Sequence, residues 1–193
     1  MTRLAVFASG SGSNFQAIVD AVNEGLFDAE VALLVCNKPG AKVIERAETA
    51  GIPVFVTSPG DYSSKAEFEK AIVSKLEENR CEWIILAGYM RLAGPTLLEQ
   101  YEGRIVNIHP SLLPAFPGLD AIGQAMDKGV KVTGVTVHYV DSGMDTGPII
   151  AQKAVTIEEG DTRESVQKKV QKVEHILYPQ TIGEIIALSK NVK

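Results

Sequence analysis

Asn107 and His109 stand two residues apart at the end of a short apolar run, Ile105-Val-Asn-Ile-His-Pro-Ser-Leu-Leu-Pro114. On an extended strand, residues two apart project from the same face. An amide donor and an imidazole therefore share one side, just before the chain breaks at Pro110 and Pro114. In open α/β sheets ligands bind beyond the carboxyl ends of strands. The pair suits acyl transfer, which needs donors for charge developing on an oxygen and a group that moves a proton near neutral pH. A plainer reading makes His109 a capping or core histidine. The shared strand end and the rigid proline that follows favour chemistry.

Three other stretches could serve that chemistry. Gly10-Ser-Gly-Ser-Asn14 follows a first apolar run and precedes a helical pattern. Two glycines allow a tight turn, and the helix start adds its positive dipole end, so the loop is an anion cradle with phosphate the favoured guest. It lacks the third glycine of a dinucleotide loop and the Gly-Lys-Ser/Thr of a nucleoside triphosphate loop; its plain alternative is a tight turn with an Asn cap. Gly88-Tyr-Met-Arg-Leu92 leaves a buried strand and offers an apolar wall with one cation, or else an ordinary exit loop with a solvated Arg91. Asp145 lies in Gly143-Met-Asp-Thr-Gly147, where turn aspartates are common. It gains meaning only if that loop folds against the Asn107/His109 strand end, where a carboxylate would partner a charged imidazole. His138 reads as structural, His175 as packing or surface, and Glu174 is open to either role.

The elements that must position these residues alternate regularly. Strand patterns occur at Leu4–Ala8, Val31–Cys36, Pro53–Val56, Trp83–Ala87 and Ile105–Ile108, separated by helical patterns near 14–24, 43–50, 64–79 and from Pro95. Such alternation predicts an α/β chain with a doubly wound, mostly parallel sheet and helices on both faces. A helix near Leu119–Lys128 follows. Val132–Val140 and Ile149–Ile157, joined by a short link, predict a C-terminal antiparallel strand pair. Thr162 to about Ser189 is helical, with Pro179 expected to kink or divide it. No repeat or linker marks a boundary, so residues 1–193 are expected to form one domain.

Composition limits the options. The chain has 193 residues, 45% hydrophobic and 22% charged, as an ordinary packed core requires. A net charge of −5 argues against a generic nucleic-acid or membrane-surface binder. Cys36 and Cys81 read as reduced core thiols, with a disulfide or a catalytic thiol as the alternatives. There is no CxxC or His/Cys cluster for zinc. No signal-peptide layout precedes the first strand, and no apolar run approaches the roughly 20 residues a bilayer needs. A cytoplasmic enzyme is the expectation.

Gly10-Ser-Gly-Ser-Asn14, Ala87-Gly-Tyr-Met-Arg91, Asn107-Ile-His-Pro-Ser-Leu-Leu-Pro114 and Asp145-Thr-Gly-Pro148 occur in the order and spacing of the folate-dependent formyltransferases. The chain resembles that family over nearly its whole length. The sequence starts directly at the first strand and ends soon after the shared core, so neither the large C-terminal domain of the tRNA-modifying branch nor the N-terminal regulatory domain of the hydrolytic branch is expected. The resemblance implies a Rossmann-like formyltransferase fold and transfer of the formyl group of 10-formyltetrahydrofolate, the cosubstrate, to the amine of 5′-phosphoribosylglycinamide in purine synthesis. It implies catalytic roles for Asn107, His109 and Asp145. It assigns substrate phosphate and ribose to Gly12, Ser13, Asn14 and Glu174. It makes Lys65, Met90, Arg91, Leu92, Ala93 and Asn107 line or flank the folate site. No metal is implied, and the partners would be those two small molecules, with no nucleic acid or membrane, in a monomer or homodimer. Two departures stand out. Relatives often carry a basic residue where Ala115 stands and a histidine near Asp120, and Lys65 replaces a common arginine, losing its bidentate fork. Water as formyl acceptor, a non-catalytic phosphosugar-binding module and a sugar-nucleotide formyltransferase remain the alternatives.

Overall fold

A computed structural model of the chain describes residues 1–191. Five parallel strands come first: β1 (Thr2–Ala8), β2 (Ala29–Cys36), β3 (Val54–Val56), β4 (Trp83–Leu86) and β5 (Ile105–His109). β6 (Val132–Tyr139) and β7 (Ile149–Thr156) then add antiparallel to β5 and to each other. The sheet order is β3-β2-β1-β4-β5-β6-β7. The six α-helices among the described residues are α1 (Ser13–Asn23), α2 (Lys42–Thr49), α3 (Lys65–Glu78), α4 (Pro95–Gln100), α5 (Ala121–Asp127) and α6 (Arg163–Lys190). This is the mostly parallel, doubly wound sheet with an antiparallel pair that the alternation predicts.

The sheet separates two apolar layers. Leu4, Val6 and Ala8 of β1 face a core built with α1, α2 and α6. Ala5 and Phe7, between them, face a second core built with α3 and α4. A strand buried on both sides must be apolar at every position, which is why β1 from Leu4, β2 from Val31 and β4 read as unbroken hydrophobic runs. Strand order reverses between β1 and β4, because the chain winds outward to β3 and then returns to the other side of β1. At such a reversal the loops leaving adjacent strands part and open a crevice. The loops after β1 and β4 are those that carry Gly10–Asn14 and Gly88–Ala93.

Two local expectations change. Pro179 does not divide α6, which runs unbroken from Arg163 to Lys190. An interior proline costs about 3 kcal/mol. The buried face of α6, with Val166, Val170, Tyr178, Ile182, Ile185 and Ile186, offsets that, since each such side chain contributes roughly 1.5–3 kcal/mol. Helix α5 begins at Ala121, later than its apolar pattern suggests. Asp120 adopts a left-handed conformation (φ 52°), and its carboxylate accepts the Gly123 N–H at 3.2 Å as a cap. Among the described residues no helix is long and apolar enough to cross a membrane.

Candidate active site

A cleft of about 780 Å³ opens at the reversal point, within the range of small-ligand sites. One wall is the β1–α1 loop. Gly12 sits at φ 76° as the residue capping α1, and a Cβ there would approach Val43 Cγ2 to 2.6 Å. Only glycine suits both the backbone and the close approach of α2. Arg46 Nε holds the Ser11 carbonyl from behind at 2.8 Å. The cap is therefore Gly12 rather than Asn14. Asn14 instead donates Nδ2 to Glu174 Oε2 of α6 at 3.2 Å, and its own Oδ1 is buried without a partner. Glu174 is only 8% exposed, and burial pushes its carboxyl up to about 7 against the opposing Asn14 amide. Gln171, one turn earlier on α6, lines the same side.

The opposite wall is the loop after β4. Met90, Arg91, Leu92 and Ala93 all line the cleft, with Met90 71% exposed. The Arg91 guanidinium lies over the Phe68 ring, 5.8 Å from its centroid. Lys65 is outside the cleft lining and flanks it from the start of α3, where its Cε packs by Gly94.

Asn107, His109 and Asp145 converge on the floor. The link between β6 and β7 folds back so that Asp145 Oδ2 lies 3.5 Å from His109 Nδ1. The same oxygen accepts the Gly118 N–H at 2.8 Å, tying that link to the loop after β5. His109 donates Nε2–H to the Phe116 carbonyl at 2.8 Å. Asn107 pairs with His138 across β5 and β6 and donates Nδ2 to His138 Nε2 at 3.2 Å. His138 donates Nδ1–H to its neighbour's carbonyl, Tyr139 O, at 2.8 Å, so Nε2 is left to accept in the neutral ring. Burial lowers the pKa of His138, partly opposed by that carbonyl and by Asp145. His138 thus sets which way the Asn107 amide points. Sequence reading treats it as structural, and the signal available was its place opposite Asn107 in an antiparallel pair.

The family model described as formyl transferase matches residues 2–182. The chain belongs to the formyl transferase family. It is 59% identical to phosphoribosylglycinamide formyltransferase of Bacillus subtilis (strain 168) over 189 residues, 98% of this chain and 97% of that protein. It is 41% identical to the trifunctional purine biosynthetic protein adenosine-3 of Drosophila melanogaster, covering 95% of this chain and 14% of that protein. The crystal structure of phosphoribosylglycinamide formyltransferase from Bacillus halodurans matches with a TM-score of 0.95 at 58% identity, covering 98% of each chain.

Within this formyl transferase, the two positions lacking a cation are served differently. Ala115 is held as backbone, its N–H bonding Leu112 O and its carbonyl accepting Ser111 Oγ at 2.6 Å. Asp120 pairs with Arg163 Nη1 at 2.9 Å, so a cation reaches the cleft rim from the start of α6. Fully buried Thr136 of β6 steadies the start of the loop after β5. Its Oγ1 donates to Ser111 O at 2.7 Å and accepts Leu113 N–H at 3.0 Å. Among the described residues no group of three or more His, Cys, Asp or Glu side chains is placed to hold a metal.

Proposed function

We propose that the chain, as one formyltransferase domain, moves the formyl group of 10-formyltetrahydrofolate to the amine of 5′-phosphoribosylglycinamide. One observation carries this reading: Asn107, His109 and Asp145 meet on the floor of a single cleft, between an anion cradle and an apolar wall bearing a cation. The cradle suits a sugar phosphate. The Gly12–Asn14 backbone and the start of α1 face the phosphate, and Glu174 with its Asn14 partner faces the ribose hydroxyls. The Met90–Ala93 wall suits a flat ring system, with Arg91 available to its acidic tail.

The donor supplies an activated formyl group, and the acceptor amine attacks its carbon directly. Negative charge then develops on the formyl oxygen. Asn107 keeps one Nδ2–H free beyond its bond to His138 and can aim it there. His109 Nε2–H is engaged with Phe116 O, so His109 exchanges that carbonyl for the formyl oxygen as charge builds. Phe116 sits in a left-handed conformation (φ 52°), which costs a non-glycine residue about 1–2 kcal/mol and eases its release. Asp145 holds the ring through Nδ1 and accepts the proton leaving the amine, directly or through water. That proton passes to the folate nitrogen as its bond to the formyl carbon breaks and the carbonyl re-forms, releasing tetrahydrofolate and the formyl amide.

The test is a spectrophotometric folate assay with and without 5′-phosphoribosylglycinamide. Absorbance change that depends on the acceptor supports transfer. Equal formate release without the acceptor identifies a hydrolase, and binding of the phosphosugar with no turnover identifies a binding module.

A further inference from the structure

Buried polar anchors hold the loop after β4 at both ends, and the reaction as described uses neither. At its start, Ser9 at the end of β1 is 6% exposed. Its N–H bonds Gly88 O at 3.1 Å, and its hydroxyl accepts the Met90 N–H at 2.9 Å while donating to Asn37 Oδ1 at the end of β2. One side chain thus joins two strand ends to the loop. At the far end, Glu69 of α3 is 2% exposed. Its two carboxylate oxygens accept the N–H groups of Gly94 and Leu97, where the loop becomes α4. A Cβ on Gly94 would stand 2.6 Å from Glu69 Oε1 and 2.7 Å from Lys65 Cε, so the anchor forms only because residue 94 lacks a side chain. Between the anchors, Met90, Arg91 and Leu92 project with large exposure.

A buried carboxylate is costly unless its acceptors are filled. Apolar packing would close α3 onto α4 without it, through Phe68, Ile72, Leu97 and Tyr101. What the carboxylate adds is direction: it fixes two particular backbone amides, and so fixes where the loop ends. A wall fixed before binding spares the ligand the cost of ordering it. We propose that Ser9 and Glu69 are positioning residues for the formyl donor. They hold the 88–94 loop so that its cleft side is preformed for the folate ring, and they have no part in acceptor binding. This rests on the donor occupying that wall, as argued above.

Steady-state kinetics of Ser9→Ala, Glu69→Ala and Glu69→Gln, varying each substrate at saturating levels of the other, test it. Losing a well-formed bond to a charged group corresponds to on the order of tenfold in affinity. Glu69→Ala therefore raises the donor KM about tenfold or more. Glu69→Gln, which keeps one acceptor oxygen, raises it less, and Ser9→Ala raises it several-fold. The acceptor KM and the turnover at saturating donor change by less than about threefold, a split that general loss of stability does not produce. Should Glu69→Ala fail to fold, the near-isosteric Glu69→Gln and Ser9→Ala decide the matter. Unchanged donor KM in both, or equal rises in both KM values, overturns the inference. A wild-type protein that transfers no formyl group sinks the functional reading instead. The loop anchors are then tested by calorimetric binding of tetrahydrofolate to the same variants, where unaltered affinity counts against them.

Discussion

Asn107 and Asp145 carry separable loads. Asn107→Ala removes an oxyanion donor, a change that typically costs on the order of 10²–10³ in rate. Asp145→Asn keeps an acceptor for Gly118 N–H but removes the charge beside His109. Each is expected to reduce turnover at least about tenfold with the far-ultraviolet spectrum unchanged; near-normal turnover removes that residue from the reaction. Glu174 gives a different signature. Its carboxyl is raised from 4.5 to about 7, so the folded state holds its proton more tightly than the unfolded chain does. The stabilisation is complete below about pH 4.5 and disappears as pH rises through 7. At 1.36 kcal/mol per pKa unit, the swing is about 3 kcal/mol at most. Glu174→Gln should flatten Tm between pH 4.5 and 8 and melt above wild type at pH 8, while binding the acceptor less well. A variant with the wild-type pH slope places the titration elsewhere.

Elements turn local chemistry into geometry, and here legibility from sequence was uneven. The first five strands and their helices follow from apolar runs and caps that act over a few residues, such as Ser64 accepting the Glu67 N–H at the start of α3. The Asn107/His109 pair was legible for the same reason, since strand periodicity alone puts both on one face. The approach of Asp145 was legible only through the family resemblance, because no local rule spans the distance from residue 109 to residue 145. The Gly118 N–H and the returning β6–β7 link bring it there. The contact of His138 with Asn107 was not legible, because it depends on register across two strands. The undivided course of α6 through Pro179 was not legible, because the local backbone cost gives no sign of the buried face that offsets it. Ser9 and Glu69 look like ordinary polar residues until the loop they hold is seen. Gly12→Ala tests this scale. The left-handed backbone alone costs about 1–2 kcal/mol with a Cβ present, and the contact with Val43 adds to it. Tm should drop by about 2–4 °C per kcal/mol, and the acceptor KM should rise with the donor KM little changed. Equal changes in both would deny the cradle its assigned ligand.

Across the whole molecule, α6 joins the site to the sheet. Tyr178 is fully buried, and its hydroxyl lies 2.8 Å from Leu86 O and 3.1 Å from Val106 O, bridging β4 and β5 one turn beyond Glu174. Burial raises its phenol well above the ordinary range, so it stays a neutral donor. Tyr178→Phe leaves buried carbonyls short of a donor and should cost about 1–2 kcal/mol in chemical denaturation. An unchanged midpoint would show that the two strands are held by their own ladder.

The division of the interior by the sheet has an outcome for how such an enzyme ages by mutation. The cradle and Glu174 stand on the layer beneath α1 and α6, whereas the donor wall hangs from the layer beneath α3 and α4. Among the described residues no apolar core side chain belongs to both layers, so slack introduced under one ligand reaches the other only through the shared backbone of the sheet. Two recognition tasks that must coincide at a single carbon are thus free to drift, and to be repaired, one at a time.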